Sequence, residues 1–465
     1  MNKPSTRPPS GTRDFLPADV ARRRHVVGVV EEVYVRYGFA PLETPAYENL
    51  DTLLGKYGEE GDQLLFRLLH RRDALARALE KEGTAEADLA DLGLRYDLTV
   101  PLARVMAEHP ELPRFFKRYQ IQPVWRADRP GRGRYREFFQ CDVDVLGTTS
   151  LVAEAEVMGA AAEVLRELKF EAFEVRYNHR ELLRGLVRAV GIEEAREAEV
   201  LVVVDKLDKI TRDAVVKELL ERGLVRQQAE DLMRFMCIGV TYDVRPRVAV
   251  DDKVLLEQIR NVVPEGPARE AADKLKRLAD LLDATPAGPH ARFRPDLVRG
   301  LSYYTGPIFE IAAEGLAGSL GGGGRYDGLV GMFGKRPIPA VGFSLGLERI
   351  LLVMEERGMY PELRTGPDVL LCWREVPEAD VLRAARSLRE QGLSVEVYPE
   401  PARLAKQIQY ADRNGVKARV AAILGESELR ERTITLKNLE SGEQRTEPLD
   451  RAAAAISAWQ EGTTP

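Results

Sequence analysis

Val26, Val27, Val30, Val33, Tyr34 and Tyr37 recur at helical intervals between Pro17 and Gly38, a spacing that predicts one amphipathic helix. The next segment, FAPLETPAY, holds two prolines, which confines any strand there to a short piece or a sheet edge. Such an edge suits a subunit contact or a plain surface equally. Stretches 94–100, 118–125 and 135–145 predict strands, the last two joined across RADRPGRGR into a long-looped hairpin. Ser150 is placed to cap a helix running to about residue 168, and the Glu/Lys/Leu-rich stretch 180–283 predicts a mostly helical lobe. Beta patterning resumes at 301–312 and 339–344, the latter feeding a helix over 345–357. Past RGMYPELRTGP, strands at 368–372, 394–398 and 419–424 alternate with helices, which implies a small, mainly parallel α/β unit.

Composition narrows the function classes. At 465 residues the chain corresponds to roughly three domains of about 150 residues each. The 68 basic and 74 acidic residues leave a net charge of −6, which excludes a histone-like polybasic binder and assigns any polyanion affinity to local patches. Cys141, Cys237 and Cys372 are odd in number and lack CxxC spacing, against a disulfide framework or zinc site, so a reducing compartment, the cytoplasm, is expected. His25, His70, His109, His179 and His290 show no paired spacing, so no metal held by His or Cys is expected. MNKPSTRPPS lacks an apolar core of the export type, and no apolar run reaches the roughly 18 residues that span a bilayer; no membrane partner is expected.

Chemistry concentrates in the hairpin. Period two puts Phe138, Gln140, Asp142 and Asp144 on one face and Phe139, Cys141, Val143 and Val145 on the other. The polar face is either solvated or a ligand wall, with Phe138 a flat surface for a ring. The same alternation in LRYDLTVPL groups Arg95, Asp97 and Thr99, with Asp97 placed to receive an ammonium group or to pair with an arginine. From Arg114 to Arg136 eight Lys/Arg face one acid, Asp128, a cationic run suited to phosphate. GGGGRYDGLV and GMFGKRP lack the Lys-Ser/Thr ending of a P-loop; the four glycines either admit a ligand or form a tight bend.

YGFAPLETPAYE, VWRADRPGRGRYREF and AVGFSLGLERI resemble motifs 1, 2 and 3 of class II aminoacyl-tRNA synthetases. LVRGLSYYTGPIFE and GGGGRYDGLV resemble the two signatures of the histidyl-tRNA synthetase family, colinear from GTRDFLP to TLKNLESGEQ. The resemblance implies an α+β fold: an antiparallel six-stranded catalytic sheet with a helical insertion, then a C-terminal α/β anticodon-binding domain. The implied divisions are a disordered leader (1–10), catalytic core (11–170 and 291–358), insertion lobe (171–290), linker (359–366) and anticodon-binding domain (367–465).

It also implies a reaction in which L-histidine and ATP with Mg²⁺ give histidyl-adenylate, whose acyl group passes to the 3′ end of tRNA(His), in a homodimer joined through motif 1. By resemblance, Arg126, Arg299 and Arg349 are the catalytic arginines around the α-phosphate, and Asp128, Arg134, Tyr135 and Phe138 join Arg126 and Arg349 on ATP. Asp97, Thr99, Gln140, Asp144, Arg299, Tyr303, Tyr304 and Tyr326 fall at the histidine-binding positions.

Departures from the family pattern are Ser302 in place of the usual Asp, Asp97, Asp128 and Asp144 where many bacterial members have Glu, and PGRG in the motif 2 loop, which leaves the discriminator base open. A second reading is a non-catalytic histidine-sensing paralogue such as the ATP phosphoribosyltransferase regulatory subunit. Residues 367–465 and the three arginines oppose it, the paired histidine signatures oppose another class II synthetase, and the absence of HIGH and KMSKS excludes class I.

Overall fold

The predicted hairpin forms the spine of an eight-stranded sheet in the computed structural model, which describes residues 5–81, 83–238, 251–299, 303–316, 318–334, 336–411 and 416–460. Ser302 and the first four residues of the expected leader lie outside the described residues. The chain divides into two units, Met1–Phe15 with Arg22–Pro361 and Leu16–Ala21 with Glu362–Pro465.

Strands of the first unit are β1 (Ala40–Pro41), β2 (Tyr47–Asn49), β3 (Arg67–Leu69), β4 (Ala90–Leu94), β5 (Phe116–Trp125), β6 (Glu137–Leu146), β7 (Phe173–His179), β8 (Ala291–Phe293), β9 (Pro307–Ala313), β10 (Ser319–Arg325) and β11 (Ala340–Gly346). The large sheet runs β1-β5-β6-β11-β10-β9-β7-β8. Its middle six strands are mutually antiparallel, as expected, and the short strands β1 and β8 add parallel edges. The prolines of FAPLETPAY limit β1 to two residues at one edge.

One face of the sheet is covered by helices. Val26, Val30 and Val33 from the first helix join Cys141, Val143 and Val145 of β6 in one apolar cluster with Val157, Met158 and Val164 of helix Leu151–Glu167. Ser150 caps that helix by accepting Val152 N–H at 3.4 Å. The 180–283 stretch is mostly helical where described, and its apolar faces belong to the same cluster. Inside the stretch assigned to the lobe, β7 is a sheet strand: Val175 and Tyr177 are buried while Glu174 and Arg176 are half-buried, the period-two pattern of a strand. A second cluster of Leu53, Val100, Met106, Phe116, Leu146 and Tyr326 fills the space beneath a small sheet, β2-β4-β3, which the sequence pattern did not signal.

Residues 94–100 do not form the expected strand. β4 ends at Leu94, and helix Thr99–Glu108 starts five residues later because Asp97 Oδ1 accepts Val100 N–H at 3.0 Å and Pro101 sits in its first turn. Arg95 and Asp97 therefore share no face: Arg95 is buried against the carbonyls of Thr44, Pro45 and Pro123.

The second unit contains β12 (Val369–Trp373), β13 (Val395–Val397), β14 (Val420–Leu424), β15 (Thr433–Asn438) and β16 (Gln444–Pro448) in the order β13-β12-β14-β15-β16. The first three are parallel as expected; β15 and β16 add an antiparallel hairpin, so the sheet is mixed. Apolar clusters cover both of its faces, and buried Gln407 is satisfied by Trp373 N–H at 2.9 Å and by the carbonyls of Trp373 and Ala402, each at 2.8 Å.

Candidate active site

The open face of the large sheet floors a cavity of about 630 Å³ in the first unit. Strand alternation explains its floor: with Cys141 and Val143 turned to the helices, Phe138, Gln140, Asp142 and Asp144 face the cavity. The next strands supply room. Four consecutive glycines, Gly321–Gly324, form the middle of β10, so the alternative of a tight bend is settled in favour of a strand. A Cβ on Gly322 would lie 3.0 Å from Arg299 Nη1, and one on Gly342 of β11 would lie 1.8 Å from Asp144 Oδ1.

Every candidate site residue lies on this cavity wall: Asp97, Thr99, Arg126, Asp128, Arg134, Tyr135, Phe138, Gln140, Asp144, Arg299, Tyr303, Tyr304, Tyr326 and Arg349. Arg126 donates to Tyr96 O at 3.1 Å, and its guanidinium stands 4.2 Å from the Tyr96 ring and 5.1 Å from the Phe138 ring. Arg134 donates to Asp128 Oδ1 at 2.5 Å. Arg349, at the start of helix Leu347–Glu356, donates to Ser319 O at 2.6 Å; Arg299 donates to Ser319 Oγ at 2.7 Å and pairs with Glu310. Burial, and to a lesser extent the neighbouring Arg299 and Arg134, hold Arg349 below its usual pKa, and Glu310 opposes the shift.

The same wall also carries acidic and aromatic groups. Tyr326 donates to Asp144 Oδ1 at 2.5 Å, and the buried Arg118 guanidinium lies 2.7 Å from Asp144 Oδ2. Burial raises the carboxyl pKa values of Asp142 and Asp144, and Arg118 opposes the rise. Tyr303 packs edge-on against both Tyr304 and Tyr326. Asp97, also raised by burial, accepts from Tyr57 OH at 3.1 Å as well as from Val100 N–H.

The cationic run does not form one patch. Arg118 is sealed into the acidic pair, Lys117 meets Glu156, Arg132 meets Glu356 and Arg136 binds Asp128 O; Arg126 and Arg134 are the members of the run that line the cavity. Tyr57, Tyr96, Lys209, Ser344 and Glu348 are wall residues that the sequence pattern did not single out, and Asp142, expected on the polar face, had no ligand contact assigned to it. For Ser344 the signal is the alternation Gly342-Ser344-Gly346 against Val341, Phe343 and Leu345; for Glu348 it is a carboxylate beside Arg349 in an apolar run. Glu348 accepts Phe139 N–H at 3.1 Å, and burial pushes its carboxyl up to about 7. Tyr57 and Lys209 come from segments without a repeating pattern.

Comparison with known proteins bears on the family. A histidyl-tRNA synthetase profile matches residues 11–350 and an anticodon binding domain profile matches residues 374–459. The histidine–tRNA ligase of Christiangramia forsetii is 39% identical over 458 residues, covering 95% of this chain and 96% of its own. That of Porphyromonas gingivalis is 40% identical over 469 residues, covering 98% and 100%. The crystal structure of histidyl-tRNA synthetase from Nostoc sp. PCC 7120 superposes with a TM-score of 0.79 at 28% identity, over 98% of this chain and 100% of that one. A Bacillus halodurans structure titled ATP phosphoribosyltransferase regulatory subunit/histidyl-tRNA synthetase shares the fold, with a TM-score of 0.69 at 22% identity, over 85% of this chain and 94% of its own. The α+β class II fold expected from the sequence is borne out, and the chain belongs to the histidyl-tRNA synthetase family, whose members are aminoacyl-tRNA ligases.

Proposed function

We propose that the chain activates L-histidine with ATP and transfers it to the 3′ end of tRNA(His). The observation that carries this reading is one cavity with Arg126, Arg134, Arg299 and Arg349 along its wall and a buried Asp144–Tyr326 hydrogen bond in the same wall. The histidine carboxylate oxygen attacks the α-phosphorus of ATP, the bond to the β-phosphate bridging oxygen breaks, and pyrophosphate leaves. Mg²⁺ enters as part of the nucleotide substrate. Charge accumulating on the phosphorus oxygens meets the guanidinium groups of Arg126, Arg299 and Arg349, already fixed by Tyr96 O, Ser319 and Glu310. Phe138 offers a face to adenine, and Asp128, Arg134 and Tyr135 complete the ATP side. A ribose hydroxyl of the tRNA terminus then attacks the acyl carbon and AMP departs.

On the amino-acid side, Asp97, Thr99 and Gln140 take the ammonium and carboxylate, and Asp144, Tyr303, Tyr304 and Tyr326 surround the imidazole. A pocket that hydrogen-bonds both ring nitrogens rejects apolar isosteres by roughly 10⁴ to 10⁵, which makes a separate editing site unnecessary.

The remaining assignments follow from this reading. The helical stretch after β7, 180–290, serves as the insertion lobe within the first unit, and 367–465 binds the anticodon region of tRNA, in line with the anticodon binding domain match and the division after Pro361. Motif 1 forms the homodimer contact; exposed Val35, Tyr47 and Phe115 flank the short edge strand β1 and its neighbour β5. The cytoplasm is the proposed location: Cys141 and Cys372 are buried free thiols, and no helix among the described residues is long and apolar enough to cross a membrane. Pyrophosphate exchange measured with each of the twenty amino acids tests the proposal. Exchange with histidine alone is the expected result; no exchange with any of them would favour the histidine-sensing reading.

A further inference from the structure

Three buried acceptors on one face of β6 accept no hydrogen bond among the described residues: Gln140 Oε1, Asp142 Oδ1 and Asp144 Oδ2, of which the last has the Arg118 guanidinium 2.7 Å away. Gln140 gives its amide N–H to Ser344 Oγ at 2.8 Å, which fixes the amide's orientation; its Oε1 accepts nothing among the described residues. Asp142 lies opposite Ser344 in the β6–β11 register and takes a hydrogen bond from that side chain, while Arg118 stands 3.9 Å from its Oδ2. Its Oδ1 accepts nothing among the described residues. Both residues line the cavity, at 8% and 2% exposure.

An acceptor sealed from water without a donor is a free-energy cost that a bound donor removes. A tetrahedral nitrogen that gives two hydrogen bonds of about 2.8 Å holds its two acceptors about 4.6 Å apart, so side chains rooted about 6.6 Å apart on one strand face converge in order to share it. The group that fits donates at least twice from one centre and carries positive charge. An ammonium does both, whereas a hydroxyl or a ring N–H supplies a single donor.

The partners of Asp144 are different. It has Arg118 at 2.7 Å and the Tyr326 hydroxyl, so its charge is already answered within the protein. Asp142, farther from the same guanidinium, has the less compensated carboxylate.

The geometry points to Asp142 as a substrate-contacting residue that, together with Gln140, takes the α-ammonium of the amino acid. The assignment rests on the histidine site proposed above and adds a contact that the sequence resemblance gave to Asp97, Thr99 and Gln140. Ser344 is a positioning residue, holding the Gln140 amide and the Asp142 carboxylate in one row.

The test is Asp142→Asn in the full-length protein, assayed by histidine-dependent pyrophosphate exchange. Loss of one charge-assisted hydrogen bond raises the KM for histidine roughly ten- to hundredfold, with the KM for ATP unchanged. Imidazolepropionate, which is histidine without its amino group, inhibits variant and parent with the same Ki. A Ki that rises in parallel with KM, or a KM that does not move, overturns the assignment. If the Asn variant fails to fold, Ser344→Ala supplies the reading: histidine KM rises and the imidazolepropionate Ki holds, while a change in both or in neither overturns it. Absence of histidine-dependent exchange in the parent would be a failure of the proposed function instead, and equilibrium binding of the same two ligands would still decide the role of Asp142.

Discussion

Arg118 lies 2.7 Å from the carboxylate of Asp144, with both side chains sealed from solvent. The same guanidinium is 3.9 Å from Asp142, so one cation serves two acids of the cavity floor. Removing it would leave like charges buried together without compensation. Arg118→Met is expected to lower stability by about 3–5 kcal/mol. A thermal melt checks this, and a variant that melts with the parent would mean the acids are held by protons and not by the arginine.

Arg299 is anchored twice, through Nη2 to Ser319 Oγ and through Nε to the Glu310 carboxylate. It is therefore positioned before any nucleotide arrives, which is what electrostatic stabilisation of a transition state requires. Arg299→Ala should slow histidine-dependent pyrophosphate exchange by about 10²–10³ while leaving the melting curve unchanged. An exchange rate near the parent's would remove Arg299 from the reaction.

A side chain at Gly342 would occupy the place of the Asp144 carboxylate, since an added Cβ falls 1.8 Å from Oδ1. In Gly342→Ala the carboxylate has to swing away from Tyr326 and Arg118. The expected outcome is a rise of about tenfold or more in the KM for histidine with the KM for ATP little changed. Equal changes in both constants would place the damage in the sheet as a whole.

His179 caps helix Arg180–Ala189 by accepting Glu181 N–H on Nδ1 at 3.1 Å, and burial lowers its pKa from 6.5 to about 3. The folded state thus holds the neutral ring, while the unfolded chain takes up a proton below 6.5. The contribution is complete above that value and declines as pH falls toward 3. Between pH 7 and pH 5 the loss should be about 2 kcal/mol, read from denaturant unfolding at the two pH values. His179→Asn keeps a capping acceptor without a titrating group, and the difference in slope between the two proteins isolates the histidine.

How much of this was legible depends on whether side chains leave a periodic trace. The two faces of β6 are readable because Cys141, Val143 and Val145 alternate with Gln140, Asp142 and Asp144, and the structure sends the first set to the core and the second to the cavity. The 94–100 stretch misleads because the same alternation continues past Leu94, while Asp97 and Pro101 start a helix within it. The β15–β16 hairpin has strands of six and five residues, and β7 sits inside a stretch dominated by helical composition, so the surrounding pattern outweighs each of them. Tyr57 and Lys209 reach the cavity only through tertiary folding, from 40 residues before Asp97 in one case and from the helical stretch in the other. The site residues carried by the family resemblance needed no periodicity, because their motifs are contiguous in the chain.

The middle of β10 consists of glycine alone, at positions 321 to 324. Such a strand carries no alternation of its own and so has nothing with which to specify its alignment. That information resides in β9 and β11, whose side chains are patterned and which flank it on either side. Anyone grafting this pocket onto another scaffold would have to transplant the three strands as a block, because the central one contributes space and its neighbours contribute the instructions.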